Sequence, residues 1–202
     1  MTSAVRSRLE TIQEKVAGRY PRPVALASGN KVELRLMSAG DAALVLEFAR
    51  ALPPDDLLFL RTNITEADVV EEWVQNIARG RTLTILAVGE GHIAGYASLH
   101  FDATTWMRHL GEIRMVTSRA LRGQGLGRVL ASEAYAVATA LGLRKLSAQM
   151  TLDQAGARAT FERLGFRPEA LLNDWVMSAD GRTRDLLIMA YDLDGLTNTV
   201  DA

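Results

Sequence analysis

Gly123, Gly125 and Gly127 interrupt the chain between a strand-like run and a long helical one, and this junction constrains the fold more than any other feature. Before it, Gly111 to Thr117 alternates apolar and charged residues as a half-buried strand requires. After it, Leu126, Leu130, Ala134, Val137 and Leu141 recur at helical spacing, and Gly142 supplies a C-terminal stop. Strand, glycine loop and helix make an anion cradle. Glycine lets the backbone turn tightly and approach a ligand, and the N–H groups of the first helical turn point at whatever sits there. A P-loop would place Lys and then Ser or Thr after the last glycine, where Arg128 and Val129 stand. The dinucleotide fingerprint would carry its third glycine one residue beyond Gly127. Neither nucleotide motif fits.

The flanking sequence predicts a mixed α/β domain. Thr82 to Val88 and His92 to Phe101 are strands joined through Gly89-Glu90-Gly91, with Ile93, Ala97, Leu99 and Phe101 expected on one face. A helix from about Ala39 turns Leu44, Val45, Phe48 and Leu52 inward, and Pro53-Pro54 ends it. A second begins near Thr65, spaced from Asp68 for N-terminal capping, with Val70, Trp73, Val74 and Ile77 inside. Between them, Asp55 and Asp56 are either a solvated turn or an attraction for a cationic amine. Thr2 to Arg19 carries Val5, Leu9, Ile12 and Val16 on one helical stripe, which predicts packing on its own domain ahead of a dimer contact. Ser28-Gly29-Asn30 is a turn between extended pieces at Pro23 to Ala27 and Lys31 to Met37. Beyond the glycine loop come a strand over Leu143 to Met150, a helix leading to Gly165, and a closing hairpin, Arg167 to Met177 and Thr183 to Tyr191, around Asp180-Gly181.

The residues around the cradle resemble motif A of the Gcn5-related N-acetyltransferases (GNAT), Arg/Gln-x-x-Gly-x-Gly/Ala, through Arg122, Gly125 and Gly127. The run from Asp153 to Phe166 is similar to the family's second signature, Asn-x-x-Ala-x-x-x-Tyr-x-x-x-Gly-Phe, with Ala157, Gly165 and Phe166 in register. Two positions depart: Gln154 stands for Asn, and Phe161 for the Tyr that often protonates the leaving thiolate. The likeness extends roughly from Val32 to Leu193. It implies a GNAT fold, a mixed and mostly antiparallel central sheet with helices on both faces, splayed at the glycine loop to admit coenzyme A. The expected division is an N-terminal helix and hairpin arm over 1–30, the acetyltransferase domain over 31–195 and a tail over 196–202.

The resemblance also implies acetyl-CoA as cosubstrate. It gives cofactor contacts to Met115, Val116 and Thr117 on the strand, and to Arg122, Gly123, Gln124, Gly125, Leu126, Gly127 and Arg128 in the cradle. Gln154 and Phe161 complete that set. An alkylammonium acceptor, pKa near 10.4, must lose a proton before it attacks a thioester. Glu112 is the expected base, matching the catalytic Glu of bacterial protein-lysine acetyltransferases; the alternative is a structural pair with Arg114. The thioester oxygen needs a donor as it becomes an oxyanion, in the family a strand N–H, here Met115 or Val116. The acceptor is a protein lysine or a small amine. A sensor that binds acyl-CoA without transfer is the competing class, kept open by Phe161.

Charge and composition narrow the partners. A net charge of −1 offers no basic field for nucleic acid or an anionic membrane, and the absence of cysteine removes thiol nucleophiles, disulfides and thiolate metal sites. His92, His100 and His109 show no metal-ligand spacing, so no metal is expected. No apolar run reaches transmembrane length and the first residues lack a signal peptide's apolar core, which predicts a cytoplasmic protein, with a homodimer left open.

Overall fold

A computed structural model of the chain describes residues 14, 16–57, 60, 62–178 and 180–193. Eight strands form one sheet: β1 (Arg22–Ala25), β2 (Lys31–Leu36), β3 (Thr82–Gly89), β4 (His92–Phe101), β5 (Leu110–Thr117), β6 (Lys145–Thr151), β7 (Arg167–Met177) and β8 (Thr183–Asp192). Their spatial order is β1-β2-β3-β4-β5-β6-β8-β7. Every neighbouring pair is antiparallel except β5 and β6, which run parallel. The parallel junction is short, holding only Leu110 with Lys145, Gly111 with Leu146, and Glu112 with Ser147. Beyond Glu112 the two strands part. This fork is the expected splay, and it lies just ahead of the glycine loop.

Helices cover both faces. α1 (Ala42–Arg50), the single turn α2 (Pro54–Leu57) and α3 (Ala67–Ala78) follow β2, α4 (Leu126–Ala140) joins β5 to β6, and α5 (Ala155–Arg163) joins β6 to β7. One core gathers Leu126, Leu130, Ala134 and Val137 of α4 against Ala97 and Leu99 of β4 and Ile113 of β5. The other packs Val45 and Phe48 of α1 and Val70 and Trp73 of α3 onto Tyr96 and Val116. Leu126 and Leu130 are at most 1% exposed, and each such side chain contributes about 2 kcal/mol by leaving water. Alternation along β5 thus turns Ile113 and Met115 toward α4, and Val116 toward α1 and α3, as period two requires.

Two expectations about local structure shift. Ile93 does not share a face with Ala97, Leu99 and Phe101, because the β3–β4 register slips between Ala87 and Val88. The extra residue is Ala94, which joins the α4-side core while Ile93 packs with Tyr96 on the other side. At α3 the N-cap is Glu66 in extended conformation, not Thr65. The Thr65 hydroxyl instead donates to Asn63 Oδ1 at 2.7 Å, and Asp68 accepts from the N–H of Val69 at 2.9 Å.

Before β1, Val5, Leu9 and Ile12 of the expected stripe lie outside the described residues, while Val16 is fully buried in the α4-side core. Next to it, Arg19 donates from Nε and Nη2 to Glu133 Oε1 on α4 at 2.9 and 2.8 Å, and the Tyr20 hydroxyl donates to the same oxygen at 3.1 Å. Arg22 donates to Glu133 Oε2. Glu133 is 2% exposed, and these donors compensate the cost of burying its charge. Among the described residues no helix is long and apolar enough to cross a membrane.

Candidate active site

The cradle lies where β5 ends. A short 3-10 turn (Arg119–Leu121) leads into Arg122, and Gly123 and Gly125 then take φ of 75° and 89°, a region that side chains rarely occupy. Gly125 is the N-cap of α4, and the first backbone bond of that helix runs from Val129 N–H to Gly125 O at 3.1 Å. The amides of Leu126, Gly127 and Arg128 therefore lack partners within the helix. A Cβ placed on Gly123, Gly125 or Gly127 would meet nothing beyond the adjoining backbone within 4 Å, so the loop presents bare backbone to open space. That geometry suits a diphosphate bound by backbone N–H groups.

Side chains around the loop divide their roles. Leu126 is buried, so only its backbone faces the cradle, whereas Arg128 is exposed in the first helical turn. Gln124 turns its side chain away from the cradle: Nε2 donates to Ala120 O at 2.9 Å, while Oε1 accepts from Ser28 Oγ at 2.5 Å and Asn30 Nδ2 at 2.9 Å. Ala27 N–H also donates to Gln124 O at 3.2 Å. The turn between β1 and β2 thus pins the loop, and the backbone N–H is what Gln124 leaves toward a ligand. Arg122 donates from Nη2 to Asp56 Oδ2 of α2 at 2.5 Å. Asp56 is thus engaged in an ion pair, and the Asp55 side chain lies outside the described residues.

The strand edge narrows the oxyanion donor. Ser118 N–H donates to Ala94 O on β4 at 2.8 Å, and β5 runs in unbroken register with β4 from there back to Gly111. Antiparallel alternation then spends the N–H groups of Val116, Arg114 and Glu112 on β4 and directs those of Thr117, Met115 and Ile113 toward the diverging β6 side. Met115 offers an N–H to the fork; Val116 does not.

Glu112 is the last β5 residue paired with β6, so it stands at the fork itself. Its Oε1 accepts from Arg114 Nε at 2.8 Å, and the two side chains are 16% and 30% exposed. The pair raised in the sequence reading therefore exists, and it orients the carboxylate without burying it. On the same sheet face a cavity of about 250 Å³ opens beneath α3, lined by Trp73, Thr82, Tyr96, Ser98, His100 and Arg114 among others, with Glu72 of α3 also on its wall. His100 is the cross-strand partner of Glu112. Thr82 Oγ1 and His100 Nδ1 lie 3.1 Å apart, Thr84 Oγ1 and Ser98 Oγ 2.8 Å apart, and Trp73 Nε1 donates to Thr84 Oγ1 at 3.0 Å. Burial pushes the Tyr96 phenol well above its usual range, so at neutral pH it is a donor and not a base. Tyr96 and Ser98 are unmarked in the sequence reading, and His100 enters it only as a histidine without metal-ligand spacing. Their signal is the polar complement of the apolar alternation along β4.

The second-signature positions lie on α5. Gln154 Oε1 accepts from Thr151 N–H at 3.0 Å, bracing the start of the helix. Phe161 is 7% exposed and packs edge-on against Phe166, ring centroids 4.9 Å apart at 84°, with Ala157 and Leu164 against the same core. Phe161→Tyr is expected to change kcat by less than about tenfold, below the usual 10²–10⁴ for general acid–base catalysis, because a thiolate of pKa about 8.5 leaves without an acid. Steady-state kinetics with the best amine checks it, and a hundredfold gain would mark the native chain as crippled for transfer. Among the described residues His, Asp and Glu form no group that could hold a metal ion.

A sheet forked beside a bare glycine cradle, with a carboxylate at the fork, defines an acyl-coenzyme A transferase of the GNAT class. The chain belongs to the acetyltransferase (GNAT) family, which residues 49–166 match. It is an acetyltransferase with acetyl-CoA as its cosubstrate. The Bacillus subtilis (strain 168) protein named "Putative phosphinothricin acetyltransferase YwnH" is 28% identical over 123 residues, spanning 60% of this chain and 75% of its own length. The fold also resembles yncA from Salmonella typhimurium, solved with its cofactor acetyl-CoA, at TM-score 0.70 and 21% identity over 85% of this chain and 99% of that one. The GNAT domain of S. lividans PAT superposes at TM-score 0.71 and 16% identity, over 85% of this chain and 96% of that one.

Proposed function

We propose that the chain transfers the acetyl group to a primary amine by direct attack, with Glu112 as general base. The observation that carries this reading is the position of Glu112, at the fork of β5 and β6 and on the sheet face that bears the cavity. Acetyl-CoA supplies an activated carbonyl. The amides of the cradle from Gly123 to Arg128, with the Arg122 guanidinium, hold its diphosphate, and the open edge of β5 receives its pantetheine arm. Glu112 takes the proton from the acceptor ammonium, directly or through water, and Arg114 keeps that carboxylate aimed. Met115 N–H faces the carbonyl oxygen as charge develops on it.

The acceptor is a compact amine whose body fills the cavity. A hollow of about 250 Å³ with a hydroxyl-lined floor favours it, as does the name of the Bacillus subtilis relative. A protein lysine is the second reading, supported by the placement of Glu112 and by Glu72 on the cavity wall. Release of coenzyme A thiol, followed across a panel of small amines, amino acids and lysine peptides, tests both. Saturable turnover with a small amine, exceeding that with any peptide, is the expected result, and the reverse order would favour the lysine. Coenzyme A binding without turnover on any member would leave the sensor class standing.

A further inference from the structure

The contact between Arg122 and Asp56 joins two parts of the enzyme that are distant in sequence. Arg122 opens the glycine loop, and Asp56 lies in α2, in the connection from α1 to α3. That connection continues into the cavity wall, to which Leu60, Thr62 and Ile64 contribute. Leu57 and Leu60 pack on the same core as Trp73 and Tyr96. The Asp56 side chain is 19% exposed and that of Arg122 43%, so the carboxylate is the more buried of the two.

We propose that Asp56 is a positioning residue for the cosubstrate: it holds the Arg122 guanidinium over the glycine loop and so ties the acceptor wall to the diphosphate site. This rests on the cradle reading above. A guanidinium carries five N–H donors in a rigid fork. Donation from Nη2 to Asp56 leaves Nε and Nη1 to donate to phosphate oxygens, so one planar group bridges carboxylate and diphosphate. A free Arg side chain loses rotamer freedom when it clamps a ligand; one already held by a carboxylate loses less, and the difference appears as affinity.

The test is a double-mutant cycle on coenzyme A affinity, by calorimetry on the full chain with Asp56→Asn, Arg122→Ala and both together. Asp56→Asn keeps the shape of the side chain but not its charge, and weakens coenzyme A binding by about threefold to tenfold in the Arg122 background. It has no further effect once Arg122 is Ala, because Asp56 acts only through that guanidinium. In kinetics the same variant raises KM for acetyl-CoA more than it lowers kcat, and Asp56→Glu restores part of the loss. Equal effects of Asp56→Asn in both backgrounds, or tighter binding on removal of the charge, overturn the positioning role and leave the cradle assignment intact. Unchanged affinity in a folded Arg122→Ala variant overturns the guanidinium's part in the cradle, and this inference with it.

Discussion

Glu112→Gln lowers turnover by roughly 10²-fold or more near neutral pH, about 2.7 kcal/mol of barrier, while coenzyme A affinity hardly moves. The substitution is nearly isosteric. Its amide oxygen can still accept from Arg114 Nε, the bond seen at 2.8 Å, so that hydrogen bond is kept while the negative charge and the capacity to take a proton are lost. The pH dependence gives a second, sharper signature. A base is needed because the acceptor is an ammonium; as pH rises toward an amine pKa near 10.4, more acceptor arrives neutral and the base matters less. The ratio of wild-type to variant kcat/KM therefore shrinks steadily between about pH 7 and pH 10. Stopped-time assays of thiol release across that range measure it. Wild-type turnover in the variant at every pH would make Glu112 structural, a partner for Arg114 and nothing more.

Gly125→Val weakens coenzyme A by at least an order of magnitude, about 1.4 kcal/mol, with the fold retained. Two effects act together. Valine at φ 89° strains the N-cap of α4, and its side chain occupies the space through which the bare backbone meets the diphosphate. Gly127→Val separates them. Gly127 is not among the positive-φ glycines, and a Cβ there meets nothing beyond its own helix within 4 Å, so its effect on affinity is free of the backbone strain at Gly125. Calorimetry with coenzyme A on both variants, each checked for a native circular dichroism spectrum, decides the point. Wild-type affinity in both would remove the cradle assignment.

What the sequence disclosed was whatever depends on short-range pattern. The strand, glycine loop and helix around Arg122 to Gly127 were legible because period two, a glycine cluster and period 3.6 follow one another without a gap. The hairpin at Asp180-Gly181 was legible because Gly181 supplies the φ of 80° that the turn requires. What stayed hidden depends on pairing between remote segments. The bulge at Ala94, which moves Ile93 to the opposite face, arises from the register of β4 on β3. Glu133 sits inside the apolar stripe of α4, and only the arrival of Arg19, Tyr20 and Arg22 explains its burial. Asp56 looked like a solvated acid after two prolines, and nothing local announces Arg122 as its partner. The cavity is lined from β3, β4, β5, α3 and the connection before α3, so no single motif marks it.

The short parallel junction also bears on how the chain folds. Apart from it, the sheet is two antiparallel blocks, β1 to β5 and β6-β8-β7, which this junction alone joins. Joining Leu110 to Lys145 encloses all of α4, a separation in sequence comparable with those of β2 from β3 and β6 from β8. The seam holds three residue pairs against seven in each flanking junction, so strand pairing ties it less firmly than its neighbours. A ligand that binds the folded state alone shifts the folding equilibrium by RT ln(1 + [L]/Kd), so with cosubstrate in the proposed site its supply sets how much of the enzyme stays folded as well as how fast it works.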